Sequence, residues 1–267
     1  MKRYMQASAQ IYGTLLEYIS PEDIHVYSID EYFIDITSYT KLYKKTPRQL
    51  AQMLLDAVLE ATHIYATVGI GTNLFLAKIA LDILAKHASD FMGYLDENLF
   101  KAHIWHHQPI TDIWQIGSGI ANRLRKFGAF DLHGITQVPE YKLYKEFGVN
   151  AELLIDHAWG RESCTISDIH AYRPSKHSLS QSQILLRNYT ADEARLPMRE
   201  MVESLVLELL QLKAVTKCIH VHIGYAAEDL KSTGGSRTLA HYTDSFQELC
   251  PAVLSLFDKY KRPHELI

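Results

Sequence analysis

Apolar side chains recur every three or four residues along the start of the chain. The series runs through Tyr4, Ala7, Ile11, Leu15 and Tyr18. This spacing places the apolar side chains on one face of a helix, and Ser20-Pro21 interrupts the pattern. Residues 1–19 are therefore predicted to form an amphipathic helix.

Two short β-prone stretches follow this helix and flank a pair of adjacent acids. Within residues 26–36, apolar and aromatic side chains lie on either side of Asp30 and Glu31. The pattern is typical of a strand, a polar turn and a returning strand. It predicts a β-hairpin with both carboxylates at its tip.

The next segment alternates between helix and strand. Thr46-Pro47 is a favourable helix start, because Thr is a good N-cap and Pro fits the first helical position. An apolar stripe then predicts a helix to about Thr62. Residues 64–70 are β-prone, and a glycine turn leads into a helix predicted over residues 74–87.

These patterns divide the chain into three parts. Residues 1–87 are predicted to be an α+β unit in which helices pack on one face of an antiparallel sheet. Residues 88–172 are predicted to be all-helical. A polar, Pro-containing linker is predicted at 171–178. Residues 178–267 are predicted to be a small α/β unit, with strands at 179–186, 218–224 and 237–243, a Gly-Gly loop, and helices at 197–212 and 246–260.

Composition narrows the class of protein. The 267 residues suffice for one large or two to three small domains. No stretch suits a membrane span or a signal peptide. Cys164, Cys218 and Cys250 match no metal-ligand pattern, which favours a reducing cytoplasm. The net charge of −4, without a long basic run, predicts weak and strongly salt-dependent affinity for nucleic acid.

Asp30 and Glu31 carry the most specific chemistry. Adjacent carboxylates repel each other, and a bound cation relieves that cost. Mg²⁺ prefers oxygen ligands and keeps coordination positions open for phosphates. The pair therefore suggests a metal-dependent phosphoryl-transfer site. A solvated acidic turn is the alternative.

The motif around this pair has companions farther along the chain. Ser28 to Thr37 follow the order Ser-Ile-Asp-Glu, any residue, two apolar or aromatic residues, Asp, an apolar residue and Thr. The companions are Gly69-Ile70-Gly71-Thr72-Asn73 with Leu76-Ala77-Lys78-Ile79-Ala80, Trp114-Gln115-Ile116-Gly117-Ser118-Gly119-Ile120, and Phe147-Gly148 with Trp159-Gly160. In these blocks nearly the whole chain resembles the Y-family (UmuC/DinB-type) translesion DNA polymerases, in particular their impB/mucB/samB-related UV-damage repair branch.

The resemblance implies a fold and an activity. Residues 1–87 would be a partial palm, residues 88–172 a thumb, and residues 178–267 a little finger. The implied activity is error-prone DNA synthesis by two-metal catalysis in DNA repair and the SOS response. Its substrates would be a DNA primer-template and a deoxynucleoside triphosphate, its cofactor a Mg²⁺ pair held by Asp30 and Glu31, and a sliding clamp a further partner. No clamp-binding peptide is evident near the C-terminus.

The resemblance also assigns contacts to nucleotide and DNA. Lys78 would contact the nucleotide's phosphates, with a solvated helix lysine as the alternative. A helix-hairpin-helix would place the backbone N–H groups of a helix start against a DNA phosphate, with an ordinary helical corner as the alternative. The DNA-binding residues in this motif would be Gly117, Ser118, Gly119, Arg123, Arg125 and Lys126.

A second set of DNA contacts is implied in the last unit. There, Ser180, Gln181, Ser182, Arg187 and Tyr189 would line a strand along the DNA backbone, with a polar strand face as the alternative. For Asp35, hydrogen bonding within the sheet is favoured over metal ligation. A metal site at His106-His107 is set aside, because no Cys or third histidine falls at ligand spacing.

Some expected Y-family features have no counterpart in the sequence. Family members begin with a strand bearing another catalytic aspartate, followed by a fingers domain, and they end the little finger with a strand. We therefore expect a truncated form with weak or no polymerase activity. A non-catalytic DNA-binding remnant is the first alternative. A nucleotidyl cyclase-like palm is the second, although cyclases need neither a helix-hairpin-helix nor the last α/β unit.

Overall fold

Two compact units make up the chain. The computed structural model describes residues 2–174, 178–227 and 229–267, and it divides into Met1–Arg173 and Pro174–Ile267. Residues 175–177 of the predicted linker lie outside the described residues. No helix of the described part is both long and apolar enough to span a membrane.

The first unit opens with the predicted helix and hairpin. Helix α1 covers Lys2–Leu16, and strands β1 (Ile24–Val26) and β2 (Tyr32–Ile34) pair antiparallel. A short helix α2 (Thr37–Leu42) precedes α3 (Pro47–Thr62). The buried residues of this region, which form one core cluster, are Leu15, Ile19, Ile24, Tyr39, Leu50, Leu54 and Val58.

Helix α3 starts where the sequence predicts. The Thr46 side chain accepts the Gln49 N–H, and the Gln49 side chain accepts the Thr46 N–H, which completes a capping box. Each bond satisfies a backbone donor that would otherwise lack an intrahelical partner. The predicted N-cap is therefore confirmed.

The second strand pair differs from the antiparallel sheet expected for residues 1–87. Strand β3 (Val68–Gly71) pairs parallel to β4 (Met92–Leu95). Between them runs α4 (Leu74–Ile79), which continues as a π-helical turn at Ala80–Leu84 and a 3₁₀ turn at Ala85–His87. A helical crossover of this length brings the next strand back in the same direction, so the pair is parallel.

Strand β4 also corrects the prediction that residues 88–172 are all-helical. Its partner β3 and its crossover helix lie in the preceding segment, so β4 depends on contacts distant in sequence. The remaining elements are helical: α5 (Glu97–His103), α6 (Ser118–Arg125), α7 (Leu132–Thr136), α8 (Glu140–Phe147), α9 (Asn150–Ala158) and α10 (Ile166–Ala171). A 3₁₀ turn at Ile110–Asp112 precedes α6.

One core joins α4 and β4 to these helices. Its fully buried members include Phe75, Leu76, Leu95, Phe100 and Leu124. The aromatic rings of Phe75 and Phe100 meet edge to face, with centroids 5.7 Å apart. This packing fixes the position of α4, which also carries the buried Lys78.

Along the chain, the second unit consists of a long helix, two strands that form an antiparallel sheet, and a second long helix. Its elements are α11 (Ala191–Gln211), β5 (Thr216–Ile223), β6 (Thr233–Thr243) and α12 (Phe246–Tyr260). Residues on both helices and both strands share one apolar cluster. The last helix has the predicted boundaries.

Three predictions for this unit are wrong. Residues 179–186 form no strand. Ile184 and Leu186 are 96% and 99% exposed, so burial of these apolar side chains does not stabilise a strand there. Helix α11 begins at Ala191 rather than Pro197, because a capping box at Thr190 starts it earlier. The Gly-Gly pair lies inside β6, where a Cβ on Gly235 would come within 2.5 Å of the Tyr260 ring.

Candidate active site

The acidic pair lies at the hairpin tip, as predicted. The N–H groups of Tyr27 and Ser28 both donate to the Glu31 carbonyl, at 3.0 and 3.2 Å, and close the turn. The Ser28 hydroxyl donates to Oδ1 of Asp30 at 2.8 Å. Asp30 is exposed, whereas Glu31 is half-buried at the start of β2. The turn thus presents one carboxylate to solvent and directs the other inward.

Lys78 reaches this tip from α4. The Asn73 side chain accepts the Leu76 N–H at 2.8 Å and caps the helix, so that Lys78 follows one turn later. Its ammonium contacts Oε1 of Glu31, and Oδ2 of Asp82 lies 3.2 Å away. Lys78 is only 7% exposed, so it is not the solvated helix lysine of the alternative interpretation.

The acidic side chains around Lys78 outnumber the basic ones. Burial lowers the pKa of Lys78, but its bonds to Glu31 and Asp82 outweigh burial and raise that pKa above its ordinary value. Asp82 also pairs with Lys86 at 2.9 Å. The two lysines therefore balance Glu31 and Asp82, and the charge of Asp30 remains to attract a cation.

A small cavity adjoins this ion pair. Tyr27, Glu31, Gly69 and Lys78 are among its lining residues, and its volume is about 70 Å³. Sites that enclose small molecules usually have volumes of roughly 300–1,000 Å³. The cavity is therefore too small to enclose a molecule of nucleotide size.

An aromatic contact connects the tip to the segment before α6. The Trp114 indole N–H donates to the Tyr27 hydroxyl at 2.9 Å. The Phe33 ring lies 5.5 Å from the Tyr27 ring and 6.0 Å from the Trp114 ring. The Tyr27 ring centroid is also 5.7 Å from the Lys78 ammonium. Tyr27 thus contacts one residue from each of two predicted motifs, Lys78 and Trp114.

Sequence reasoning missed two members of this site. Asp82 lies four residues after Lys78 and four before Lys86, so helical spacing alone could have placed it on the same face. No sequence signal pairs Tyr27 with Trp114, because that contact depends on how the helical segment packs.

Asp35 hydrogen-bonds, as favoured, but at a helix start rather than across the sheet. Its Oδ1 accepts the Thr37 N–H at 2.9 Å, where α2 begins. Its backbone N–H donates to the Asp23 carbonyl at 2.9 Å. The Asp35 side chain thus satisfies one donor of α2.

The predicted helix-hairpin-helix residues gather at α6. Gly117 is the N-cap, and no side chain caps this helix. The backbone N–H groups of Ser118 and Gly119 come first in α6, where an α-helix offers no intrahelical acceptor. A Cβ on Gly117 or Gly119 would meet no atom within 4 Å, so the surface there is open.

The basic residues of α6 differ in their surroundings. Arg123 lies over the Phe147 ring at 4.5 Å and donates to the Glu146 carbonyl at 3.3 Å. Lys126 pairs with the Glu146 carboxylate at 3.2 Å. Arg125 is exposed and donates to the neutral Asn122 side chain at 3.1 Å. Arg125 is therefore the most available of the three for an external anion.

The predicted contacts of the second unit lie outside regular secondary structure. Ser180, Gln181 and Ser182 are exposed in the segment that forms no strand. Arg187 lies over the Tyr189 ring at 4.5 Å and donates to Glu193 at 2.6 Å. This bond, with those from Thr190, holds the pKa of Glu193 at about 2.

Comparison with known proteins decides the family. Residues 1–82 match the model of the impB/mucB/samB family, and residues 176–267 match that of the impB/mucB/samB family C-terminal domain. The chain belongs to the impB/mucB/samB family. The resemblance found in the Ser28–Thr37 motif and its companions is thereby confirmed.

Relatives in this family are named for DNA repair and DNA synthesis. The chain is 28% identical to UvrX, named as a UV-damage repair protein, of Bacillus subtilis (strain 168), over 97% of the chain and 61% of the relative. It is 30% identical to DNA polymerase IV 2 of the same organism, over 96% of the chain and 62% of the relative. The chain thus spans about three fifths of the length of these relatives.

A solved structure shares the fold. The chain superposes on a Y-family DNA polymerase chimera of Dbh and Dpo4 with a TM-score of 0.68 and 22% sequence identity, over 97% of the chain and 71% of the chimera. The mixed helix-and-sheet architecture of a Y-family polymerase is therefore confirmed for this chain.

Proposed function

We propose that this chain is part of an error-prone translesion DNA polymerase that acts in DNA repair and the SOS response. The observation that carries the proposal is the contact between Lys78 and Glu31, which brings two separate family motifs to one point. An acidic hairpin tip with a basic helix beside it suits a substrate that carries both phosphates and a metal ion.

The proposed domains follow the sequence boundaries. Residues 1–87 serve as a partial palm, residues 88–172 as a thumb, and residues 178–267 as a little finger. Strand β4 then adds to the palm strands from within the second segment. DNA primer-template and a deoxynucleoside triphosphate are the proposed substrates, and a sliding clamp is a proposed further partner in the cytoplasm.

The acidic tip supplies ligands suited to Mg²⁺. Asp30 presents an exposed carboxylate, and Glu31 has a second oxygen besides the one that contacts Lys78. Carboxylate oxygens are the ligands that Mg²⁺ prefers. When bound, a pair of such ions activates the primer hydroxyl and stabilises the leaving phosphate. We propose that Asp30 and Glu31 hold this pair together with phosphate oxygens of the substrate.

Lys78 has two proposed roles. Without nucleotide, it neutralises Glu31 and restrains the hairpin tip. With nucleotide, it provides a positive charge to the phosphates that lie over the tip, because ammonium groups bind phosphate as point charges. The transfer of Lys78 from Glu31 to the phosphates costs little free energy if the metal ions neutralise the Glu31 carboxylate.

DNA contact is proposed at α6 and in the second unit. The N–H groups of Ser118 and Gly119 suit a backbone phosphate at the start of α6, and Arg125 suits another at its end. Arg123 and Lys126 add positive charge beside Arg125 while they remain bound to Glu146 on α8. Such contacts are independent of sequence. Ser180, Gln181, Ser182 and Arg187 are proposed to contact the DNA backbone in the same way.

The decisive experiment measures a ternary complex. Fluorescence anisotropy follows a labelled primer-template bound by the 267-residue chain, with the next complementary nucleotide and MgCl₂ or EDTA. We expect the complementary nucleotide with MgCl₂ to tighten DNA binding, and the Asp30→Asn/Glu31→Gln double variant to lose this gain while it retains DNA binding. Glu60→Gln, an exposed acid on α3, is the control.

The outcomes separate the candidate functions. DNA binding without any effect of nucleotide or Mg²⁺ would favour the non-catalytic DNA-binding remnant. Nucleotide binding without DNA binding would favour the cyclase-like palm. Primer extension by this chain is expected to be weak or absent, because only two carboxylates, those of Asp30 and Glu31, are proposed to hold both metal ions. Robust templated synthesis would contradict that expectation.

A further inference from the structure

Three potential metal ligands meet on the surface of the first unit, away from the acidic hairpin in sequence. His106, Asp131 and His133 each offer one ligand atom, and these atoms all lie within 4.8 Å of one another. No other set of three or more His, Cys, Asp or Glu side chains in the described residues meets the same condition.

This cluster bears on the reason for which a metal site at His106-His107 was set aside. The sequence shows no third ligand at a short spacing from His106-His107. The structure supplies Asp131 and His133 from the start of α7, more than twenty residues later. The neighbouring His107 points elsewhere and bonds to Asp112 at 2.9 Å.

The backbone around the cluster is firmly held. Asp131 is the N-cap of α7, and its Oδ1 accepts the Gly134 N–H at 2.6 Å. The His133 N–H donates to the Trp105 carbonyl at 3.0 Å, which ties the turn after α5 to α7. The Trp105 ring meets the His133 ring edge to face at 5.0 Å. Neighbouring groups thus orient the carboxylate and one imidazole, as supporting residues do in metal sites.

The charge and exposure of the cluster suit a cation. Oδ2 of Asp131 lies 3.0 Å from Nδ1 of His106. The Asp131 carboxylate supplies an anionic oxygen, and the two imidazoles supply ring nitrogens. His106 is exposed, and Asp131 and His133 are half-buried, so one side of the cluster faces solvent.

We propose that His106, Asp131 and His133 form a binding site for a divalent transition-metal ion of the Zn²⁺ class. Two imidazoles and one carboxylate suit Zn²⁺, whereas Mg²⁺ prefers oxygen ligands alone. Ligand bonds of about 2.0–2.2 Å imply ligand atoms roughly 3.3 Å apart around the ion. His106 lies on an exposed turn, so its ring is free to rotate toward the ion. Water completes the coordination on the open side.

The bound ion would join the turn after α5 to the start of α7. A ligand that binds only the folded state stabilises it by RT ln(1 + [L]/Kd), so the stabilisation grows with the Zn²⁺ concentration. The site is separate from the proposed polymerase chemistry and does not depend on it.

Metal titration of the whole chain tests the proposal. ZnCl₂ is titrated calorimetrically into metal-free protein, and CoCl₂ absorption reports the coordination number. His106→Ala, His133→Ala and Asp131→Asn are the variants, and Asn preserves the N-cap of α7. His103→Ala removes an exposed histidine at the end of α5 and serves as the matched control.

The proposal predicts one Zn²⁺ site whose affinity falls at least tenfold in each of the three variants and stays unchanged in His103→Ala. Zn²⁺ should also raise the melting temperature of the wild type more than that of His106→Ala, an exposed substitution compatible with folding. Equal Zn²⁺ affinity in wild type and His106→Ala, or equal losses in His103→Ala, would overturn it.

Discussion

The ammonium of Lys78 contacts the carboxylate of Glu31, a residue 47 positions earlier in the chain. Glu31 comes from the hairpin tip and Lys78 from the helix that follows the Gly71 turn. The ion pair therefore joins two elements that are distant in sequence. It also neutralises the charge of Glu31 at the hairpin tip.

Replacement of Lys78 should destabilise the first unit. Lys78→Met leaves Glu31 and Asp82 without their shared cation, and we expect the free energy of unfolding to fall by about 1–3 kcal/mol. Combination with Glu31→Gln should recover part of the loss, with a coupling energy of roughly 0.5–3 kcal/mol. Urea denaturation of the single and double variants measures both quantities.

Lys86→Met is the matched control for Lys78→Met. Lys86 also pairs with Asp82, but its side chain is 54% exposed, so we expect a loss below about 1 kcal/mol. Equal effects of the two substitutions, or simple additivity with Glu31→Gln, would show that the Lys78–Glu31 contact contributes nothing specific.

The close approach of β3 to α4 makes a second prediction. A Cβ on Gly71 would lie 2.1 Å from the Ala77 backbone nitrogen. Because backbone atoms cannot move aside without shifting the helix, Gly71→Ala should cost about 1–3 kcal/mol or more of stability. It should also weaken the Lys78–Glu31 pair, since Lys78 follows Ala77 directly.

Gly13→Ala is expected to have the opposite effect on stability. Gly13 lies inside α1, and a Cβ there meets no atom within 4 Å. Alanine should therefore stabilise the helix by roughly 0.5–1 kcal/mol. Thermal unfolding of both variants checks the contrast, which fails if the two substitutions shift the melting temperature in the same direction.

Sequence patterns predicted elements whose signals are local. The Thr46 N-cap, the acidic tip at Asp30 and the boundaries of α12 all follow from neighbouring residues. Strand β4 escaped prediction because its backbone partner, β3, lies across a helical crossover. Residues 179–186 have a β-prone composition, yet a strand also requires a partner edge and a buried face, which composition does not report.

The same distinction applies to the candidate sites. The Asp30-Glu31 pair was visible because its members are adjacent, and Lys78 was visible through the family motif. The Tyr27–Trp114 hydrogen bond and the His106–Asp131–His133 cluster were not, because both depend on packing between distant segments. Helical spacing could have revealed Asp82.

A buried histidine gives a pH-dependent prediction. His157 stacks on Phe75 with ring centroids 4.0 Å apart, and its Nε2 lies 2.9 Å from Glu162. Burial lowers the pKa of His157, and the opposing effect of Glu162 does not restore its ordinary value. The unfolded state therefore binds the proton more readily than the folded state.

The sign of the pH effect follows from that difference. His157 contributes stability above its unfolded pKa of roughly 6.5, and this contribution is lost as the pH falls toward the lower folded pKa. We expect His157→Gln to lower stability at pH 8 but to flatten the decline between pH 7 and 5. Urea denaturation across this range measures the slope, and an unchanged slope in the variant would contradict the assignment. His170→Gln, which alters an exposed histidine, is the control.

Arg125 supplies the prediction for DNA binding. It is exposed at the end of α6 and bonds only to a neutral amide among the contacts described, so its charge is available for a phosphate. Arg125→Gln should weaken binding to primer-template DNA about equally for all sequences and reduce the salt slope by about 1. Anisotropy titrations at several salt concentrations measure both effects. Lys142→Gln, an exposed cation on α8, is the matched control. If Lys142→Gln reduces the salt slope as much as Arg125→Gln, the DNA contact extends over the helical surface as diffuse charge, and a specific role of Arg125 is excluded.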